Sequence, residues 1–188
     1  MARAPLTAHF RKMAHNNAWA NWRLLSACAR LSDEAFRATR TSFFPSLYET
    51  LNHNLMIDLY YIDALERGGL GRQIFARFVP VDTAAGLMEA QAVADRRLIA
   101  VCDGLTDASL DATVTTDRGE NGAIEERIDD LLAHLFQHQI HHRGQAHAML
   151  AGTDVPPPQL DEYFLLYDSQ RTRDELRRLD LSPPEALL

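Results

Sequence analysis

Apolar residues recur every three or four positions along four stretches of the chain, which is the period of an amphipathic helix. The four stretches cover residues 7–31, 46–66, 82–103 and 124–151. Asp82 stands directly before the body of the third stretch and is a suitable N-cap. Glycines follow the second stretch, at Gly68 and Gly69, and the fourth, at Gly152, where helices commonly end. The pattern therefore predicts four long helices.

The segments outside these stretches predict how the helices are connected. Residues 110–124 break the helical period and combine Thr-Val-Thr with Asp-Arg-Gly-Glu-Asn-Gly, which is typical of a short hairpin or extended loop. The connection 69–81 holds several large apolar side chains, so we expect it to pack over the bundle end or a pocket mouth. A last amphipathic stretch, 160–179, predicts an outer helix, and we expect frayed residues from Pro183 onward.

Together these elements predict an all-α fold. We expect an antiparallel four-helix bundle with an extra C-terminal helix and a short hairpin or extended loop before the fourth helix. The chain has 188 residues, which suits one domain with a sizeable core. We therefore assign residues 1–188 to a single domain, with a core at about 8–151 and a C-terminal helical extension at about 160–179.

The fourth predicted helix concentrates the histidines of the chain. Five of the eight histidines lie between residues 134 and 150. The apolar stripe of this helix steps by four and three residues, and His138 and His142 occupy two of its positions, one turn apart. Buried imidazoles need partners, and one metal ion serves both rings at once. Two hydrogen-bonded core histidines are the alternative interpretation of this spacing.

One helix cannot complete a coordination sphere, so a further ligand must come from elsewhere in the fold. His134 and His141 lie on the shoulders of the stripe, and His147 is well off it. On the second helix His53 stands between two asparagines, where periodicity does not single it out. In the first helix Asn17 interrupts the apolar stripe, and we expect it to hydrogen-bond inside the bundle or to approach the site.

Composition narrows the classes of function. The net charge is −7 and no basic run occurs, which argues against nucleic-acid binding. No apolar run approaches the roughly 20 residues of a membrane span, and the N-terminal sequence lacks the apolar segment of a signal peptide. Cys28 and Cys102 lie far apart inside apolar patterns, which indicates buried free thiols in a reducing environment. We therefore expect a cytoplasmic protein.

Three segments give the chain a resemblance to the DinB-like (DUF664) family of metal-binding four-helix bundles. HLFQHQIHHRGQAHAML resembles the family's fourth-helix signature, TLNHNLMIDLYYIDAL its second helix and NNAWANWRLL its first, over about residues 8–151. By this resemblance the family's three metal-binding histidines fall on His53, His138 and His142. Gln137 stands where the family often has asparagine, and His141 adds a candidate fourth or substitute ligand.

Three imidazoles leave coordination positions open, as in catalytic metal sites rather than closed structural ones. Neutral nitrogen ligands suit a divalent transition metal, with zinc or nickel favoured and iron or copper also compatible. Such an ion lowers the pKa of a bound water or thiol. The spacing from His138 to His142 matches the H-E-x-x-H helix of metallopeptidases, but Gln139 replaces the catalytic glutamate and argues against a peptidase.

Members of the family that the chain resembles include transferases and isomerases that use low-molecular-weight thiols. The resemblance implies a metal-dependent thiol S-transferase that acts on a small electrophilic substrate in detoxification or stress response. A metal-dependent hydrolase and a non-catalytic, stress-linked metal-binding protein are the alternatives. Arg143 directly follows the histidine pair, and we favour a structural ion pair for it over binding of an anionic cosubstrate group.

We also expect a homodimer that forms through the bundle helices. The broadly apolar second helix and the pair Trp19 and Trp22 offer more apolar surface than one bundle needs, and DinB-like proteins are often dimeric. The apolar side chains of the connection 69–81 are suited to lining the approach to the metal.

Overall fold

The computed structural model describes residues 5–182, so the frayed residues predicted from Pro183 onward lie outside the described part. The elements are, in chain order, α1 (Leu6–Cys28), α2 (Asp33–Arg37), α3 (Leu47–Leu65), α4 (Gln73–Arg77), α5 (Ala84–Asp103), α6 (Asp107–Leu110), β1 (Thr113–Asp117), β2 (Ala123–Arg127), α7 (Ile128–Ala151) and α8 (Ser169–Arg178). Four of these helices are long, and the two strands pair as one antiparallel hairpin. The predicted all-α bundle with an added C-terminal helix is confirmed.

The four long helices form a ring. α1 packs mainly against α5 and α3 against α7, while contacts between α3 and α5 and between α1 and α7 complete it. Bonded side chains show that α1 and α5 are antiparallel, as are α3 and α7. The pairs Asp58–Gln91 and Glu66–Arg97 show that α3 and α5 run in the same direction. The connection between α3 and α5 therefore travels back along the bundle.

The hairpin before α7 is longer than the sequence pattern predicted. We expected the fourth helix to begin near Ile124, but residues 123–127 form β2 and the helix begins at Ile128. Ile124 is 39% exposed and pairs with Thr116 across the hairpin, so it does not belong to the buried stripe of α7. The Glu125 carboxylate accepts hydrogen bonds from Thr113 and Thr115 on the facing strand, which holds this segment extended.

Two other predicted boundaries differ from the structure, the start of α5 by one residue and the start of the C-terminal helix by several. The N-cap of α5 is Thr83, whose hydroxyl oxygen accepts the Gly86 amide at 3.1 Å, because Asp82 instead pairs with Arg37. The C-terminal helix begins at Ser169 rather than near residue 160. The preceding segment is irregular because it turns Tyr163 inward onto Trp19, with the two ring centroids 5.4 Å apart.

The four long helices enclose a buried polar centre. The buried polar residues of this centre come from all four long helices: Asn17 and Asn21 of α1, Asp58 of α3, Gln91 and Asp95 of α5, and Gln139 and Arg143 of α7. The amides of Asn17 and Asn21 donate to Asp95 at 3.0 and 2.9 Å, and the amide of Gln91 donates to Asp58 at 2.7 Å. Buried polar groups are tolerated when they are bonded in this way.

One buried guanidinium, that of Arg143, lies near two buried carboxylates, those of Asp58 and Asp95, and is linked to them through side-chain amides. Arg143 donates to the amide oxygens of Asn17 and Asn21, whose amide groups donate in turn to Asp95. Burial raises the pKa of Asp58 to about 7 and that of Asp95 to about 6, and burial also lowers the pKa of Arg143 to about 10. The structural role that we preferred for Arg143 agrees with these contacts, but its hydrogen bonds go to amide oxygens, and the expected direct ion pair does not occur among the described residues.

Replacing Arg143 with methionine should destabilise the fold by about 3–5 kcal/mol at pH 8, because two buried carboxylates lose the nearby buried guanidinium that balances their charge. The loss should shrink as the pH falls through 7 to 5. The folded-state pKa values of Asp58 and Asp95 already lie above the ordinary value, so acidification protonates and neutralises both groups within the fold. Urea unfolding at several pH values measures this effect.

The matched control is Arg97→Met, which removes a partly exposed arginine from its ion pair with Glu66. It should cost no more than about 1 kcal/mol at any of these pH values. A destabilisation by Arg143→Met that does not change with pH would contradict the assignment of Arg143 as the counter-ion of the two carboxylates.

Candidate metal centre

Helices α3 and α7 carry the histidines that the sequence analysis singled out. The Ser46 hydroxyl oxygen accepts the Glu49 amide at 3.1 Å and starts α3, which places His53 two turns into the helix. On α7, Gln139 lies between His138 and His142 and is fully buried. Its amide donates to the Asp58 carboxylate and to a backbone carbonyl of α3, so the two helices are joined beside the histidines.

The structure brings His53, His138 and His142 together. The Nε2 atoms of His53 and His138 lie 3.0 Å apart, and the ring of His142 lies with its centroid 4.8 Å from His53 and 4.5 Å from His138. One nitrogen of each ring falls within 4.8 Å of the others. The His142 residue is buried, and the other two are half-buried.

The electrostatic environment keeps these imidazoles neutral. Burial, followed by repulsion from His142, lowers the pKa of His53 to about 4. Burial and the neighbouring imidazoles lower the pKa of His138 to about 3. Burial also lowers the pKa of His142, against the hydrogen bond to Gln145, which raises it. Each ring therefore offers a nitrogen lone pair at neutral pH, as a metal ligand must.

The donor set and its surroundings fit a divalent transition metal. Nitrogens bound to one ion at roughly 2.0–2.1 Å lie about 3 Å or slightly more apart, as the two Nε2 atoms do here. Gln145 Oε1 lies 2.8 Å from His142 Nδ1 and fixes the proton there, which frees Nε2 for a ligand bond. His138 Nδ1 is buried and has no partner among the described residues, so this ring lacks the outer support that Gln145 gives His142.

An aromatic ring covers one side of the three histidines. Phe44, from the segment between α2 and α3, lies 4.3 Å from the His53 ring and 5.5 Å from the His142 ring between centroids. The ring contacts of the histidines come from Phe44 rather than from the connection 69–81, which we expected to pack over the bundle end or a pocket mouth. That connection packs its apolar side chains on the main core, where Phe75 stacks on Tyr60 at 4.7 Å between ring centroids.

The other side is flanked by a hydrogen-bonded chain that reaches the hairpin. His134 lies one turn before His138, with 6.3 Å between the ring centroids, and its Nε2 is 3.1 Å from the Tyr61 hydroxyl. Arg118 of the hairpin loop donates to the same hydroxyl at 2.9 Å and forms a two-point ion pair with Glu126. The histidine site therefore has an apolar edge and a polar edge.

The remaining candidates lie outside the group of three. His141 is exposed and contacts Gln145, with its ring 4.9 Å from that of His142. His147 bonds the backbone oxygen of Pro158. Asn17 lies in the buried polar centre, which is the first of the two positions that we considered for it.

The two cysteines take no part in the site. Cys28 and Cys102 are buried free thiols, and burial raises the pKa of each to about 12. Both are therefore protonated at neutral pH, which is unsuited to metal ligation or nucleophilic attack. Among the described residues, no helix combines the length and apolarity needed to cross a bilayer.

Fold and site together define a histidine-bearing helical bundle. The profile of the DinB family matches residues 4–175 of the chain, and the chain belongs to this family. It is similar to Protein DinB of Bacillus subtilis (strain 168), with 23% identity over 168 residues, which covers 85% of this chain and 96% of that protein. The resemblance drawn from the helix signatures is confirmed.

Sequence reasoning missed four side chains that shape the site: Phe44, Tyr61, Arg118 and Gln145. Gln145 lies three residues after His142 on the same helix, and its contact with His142 gave no distinct signal in the sequence. The one usable signal for Phe44 was a Phe-Phe-Pro sequence directly before the N-cap of α3, where large apolar residues stand in a loop. Tyr61 and Arg118 gave no signal, because their contacts join segments far apart in the chain.

Proposed function

We propose that the protein is a metal-dependent thiol S-transferase in which His53, His138 and His142 bind the metal. The observation that carries this proposal is a half-buried group of three neutral imidazoles that includes no carboxylate. A group of this kind leaves the full positive charge of an ion available to an added ligand. Membership of the DinB family and the hydrogen bond between Gln145 and His142 also support the proposal.

A bound zinc or nickel ion, the two metals that we favour, would supply the Lewis acidity that stabilises a thiolate at neutral pH. The three imidazoles would hold the ion, and the ring of Phe44 would keep water from one side of the site. In the proposed reaction the thiol loses its proton to solvent water, and its sulfur electron pair forms a bond to an electrophilic carbon. The leaving group departs with the electrons of the broken bond and is then protonated.

Thiol transfer is favoured over hydrolysis by the position of Gln139. A metal-dependent hydrolase of the H-E-x-x-H type needs a general base at this position, facing the metal. Here the residue is an amide, fully buried and directed at Asp58, away from the imidazoles. A thiol requires a weaker base than water does, since its pKa is far lower. The two buried free thiols also suit the reducing cytoplasm that we expect for this chain.

The metal assignment predicts one transition-metal ion per chain, lost when His138 is replaced by alanine. Elemental analysis of purified protein measures the content directly. His147→Ala is the control, because it removes an imidazole from the same helix at a position that bonds Pro158. Undiminished metal in His138→Ala protein would remove the basis for the proposed function.

Thiol binding predicts a new spectroscopic band in cobalt-substituted protein. Adding the cognate thiol should produce a sulfur-to-metal charge-transfer absorption, with bacillithiol, mycothiol, glutathione and coenzyme A as the panel. The band should be absent in His142→Ala protein and should persist in Cys28→Ser and Cys102→Ser proteins, whose thiols are buried and protonated. A spectrum indifferent to every thiol would leave the hydrolase or the non-catalytic metal-binding protein as the better hypothesis.

We also propose that the protein is a homodimer. Its interface would be the groove between α1 and α7, rather than the surfaces considered from the sequence. Trp19, one basis of the earlier expectation, is fully buried by Tyr163 of its own chain. The groove instead presents Leu6 and Ile140, which are 48% and 51% exposed, with Met13 between the helices. Apolar surface of this kind is typical of subunit interfaces.

Light scattering at micromolar concentration should give a dimer mass for the native chain and a monomer mass for Ile140→Glu. Val93→Glu is the matched control, since Val93 is 52% exposed on α5, outside the groove. It should leave the dimer intact. A monomeric native chain would refute the dimer, and equal effects of the two variants would refute this interface.

A further inference from the structure

Four side chains form a continuous hydrogen-bonded chain from the hairpin to the edge of the histidine site. Glu126 of β2 pairs with Arg118, Arg118 Nη1 lies 2.9 Å from the Tyr61 hydroxyl, and that hydroxyl lies 3.1 Å from His134 Nε2. Tyr61 is buried, at 5% exposed, while His134 is exposed. The Tyr61 hydroxyl therefore lies between the ion pair of the hairpin on one side and the imidazole of His134 on the other.

The hydrogen bonds of Tyr61 indicate which nitrogen of His134 carries its proton. Arginine can only donate, so Tyr61 accepts from Arg118. The arrangement that also uses the hydroxyl proton of Tyr61 has it donate to His134 Nε2, 3.1 Å away. A neutral His134 then bears its proton on Nδ1. No other hydrogen bond of the His134 ring occurs within residues 5–182, so the Nδ1 N–H is free to donate to a ligand.

The position of His134 suits a ligand bound at the three histidines. Phe44 covers the His53 and His142 rings, whereas His134 flanks His138 from one turn earlier on the same helix. Arg118 is not itself free to bind an anion, because Glu126 occupies two of its nitrogens. Its contact with Tyr61 instead sets the orientation of the hydroxyl.

We propose that His134 donates a hydrogen bond from Nδ1 to a small anion or anionic group, a thiolate or an oxyanion, bound at the open side of the metal. Tyr61 and Arg118 are positioning residues that act through His134. This inference rests on the proposed function, since it requires an ion at His53, His138 and His142. The positive ion favours an anionic ligand, and the N–H of His134 favours a ligand with a hydrogen-bond acceptor at or next to the atom that binds the metal.

Azide titration of cobalt-loaded protein tests the donor directly, with the visible cobalt spectrum as the readout. All variants are titrated at the same pH, so the comparison isolates the hydrogen bond. His134→Ala should weaken azide binding about tenfold, the effect of one hydrogen bond to a charged group. His134→Gln, which restores an N–H donor, should recover most of the affinity. His147→Ala, which removes an imidazole bonded to Pro158, should change it less than about twofold.

A double-mutant cycle tests the role of Tyr61 through His134. Tyr61→Phe should weaken azide binding by less than His134→Ala does, and it should have no further effect when His134 is already alanine. Nitrogen-15 NMR of the zinc-loaded protein supplies a second readout. His134 should show the Nδ1–H form in the native chain and a mixture of the two neutral forms in Tyr61→Phe.

The outcomes separate the two proposals. If cobalt is not bound by the three histidines, the proposed function falls and this inference falls with it. If cobalt binds and azide affinity is equal in native and His134→Ala proteins, the inference alone is overturned. An independent effect of Tyr61→Phe in the His134→Ala background would overturn the positioning role of Tyr61. A native His134 in the Nε2–H form would contradict the hydrogen-bond directions.

Discussion

The hydrogen bond from Gln139 to Asp58 is the constraint on which the histidine site depends. It joins α3 to α7 between the two helical histidines, at a residue that water does not reach. Because Gln139 is fixed on Asp58, the flanking positions 138 and 142 must both project to one side, toward His53. The buried polar centre and the imidazole site therefore both depend on the same contact between α3 and α7.

The charge balance of that centre explains why the chain carries an amide where peptidases of similar spacing carry a glutamate. A third carboxylate at position 139 would face Asp58 and Asp95 with Arg143 as the one buried guanidinium among the described residues near it. An uncompensated buried charge is strongly destabilising. In this fold the position therefore serves the core, and acid–base chemistry must come from elsewhere.

The periodicity of apolar residues was enough to predict the four long helices, since each buries one continuous face. It also placed His138 and His142 on one side of α7. His53 needed the family resemblance, because Leu51 and Leu55 define the clearer stripe on α3. The parallel course of α3 and α5 was beyond periodicity, since an amphipathic stripe has no direction.

Side chains that reach the site from loops were equally beyond prediction. Arg118 meets Tyr61 across 57 positions of sequence, through a hairpin whose strands the pattern underestimated. A contact of this kind depends on where the hairpin docks, and local propensity does not encode that. The polar edge of the site was therefore visible in the structure alone.

The C-terminal layer gives the molecule a second cooperative unit. Trp19, Ala20, Tyr163 and Leu176 form a small apolar cluster separate from the main core, and Trp19 donates to Glu175 at 2.6 Å. Because so few contacts hold it, α8 can open without disturbing the helices that carry the imidazoles. Amide protons of α8 should then exchange with solvent by local opening, while those of α3 and α7 exchange through global unfolding.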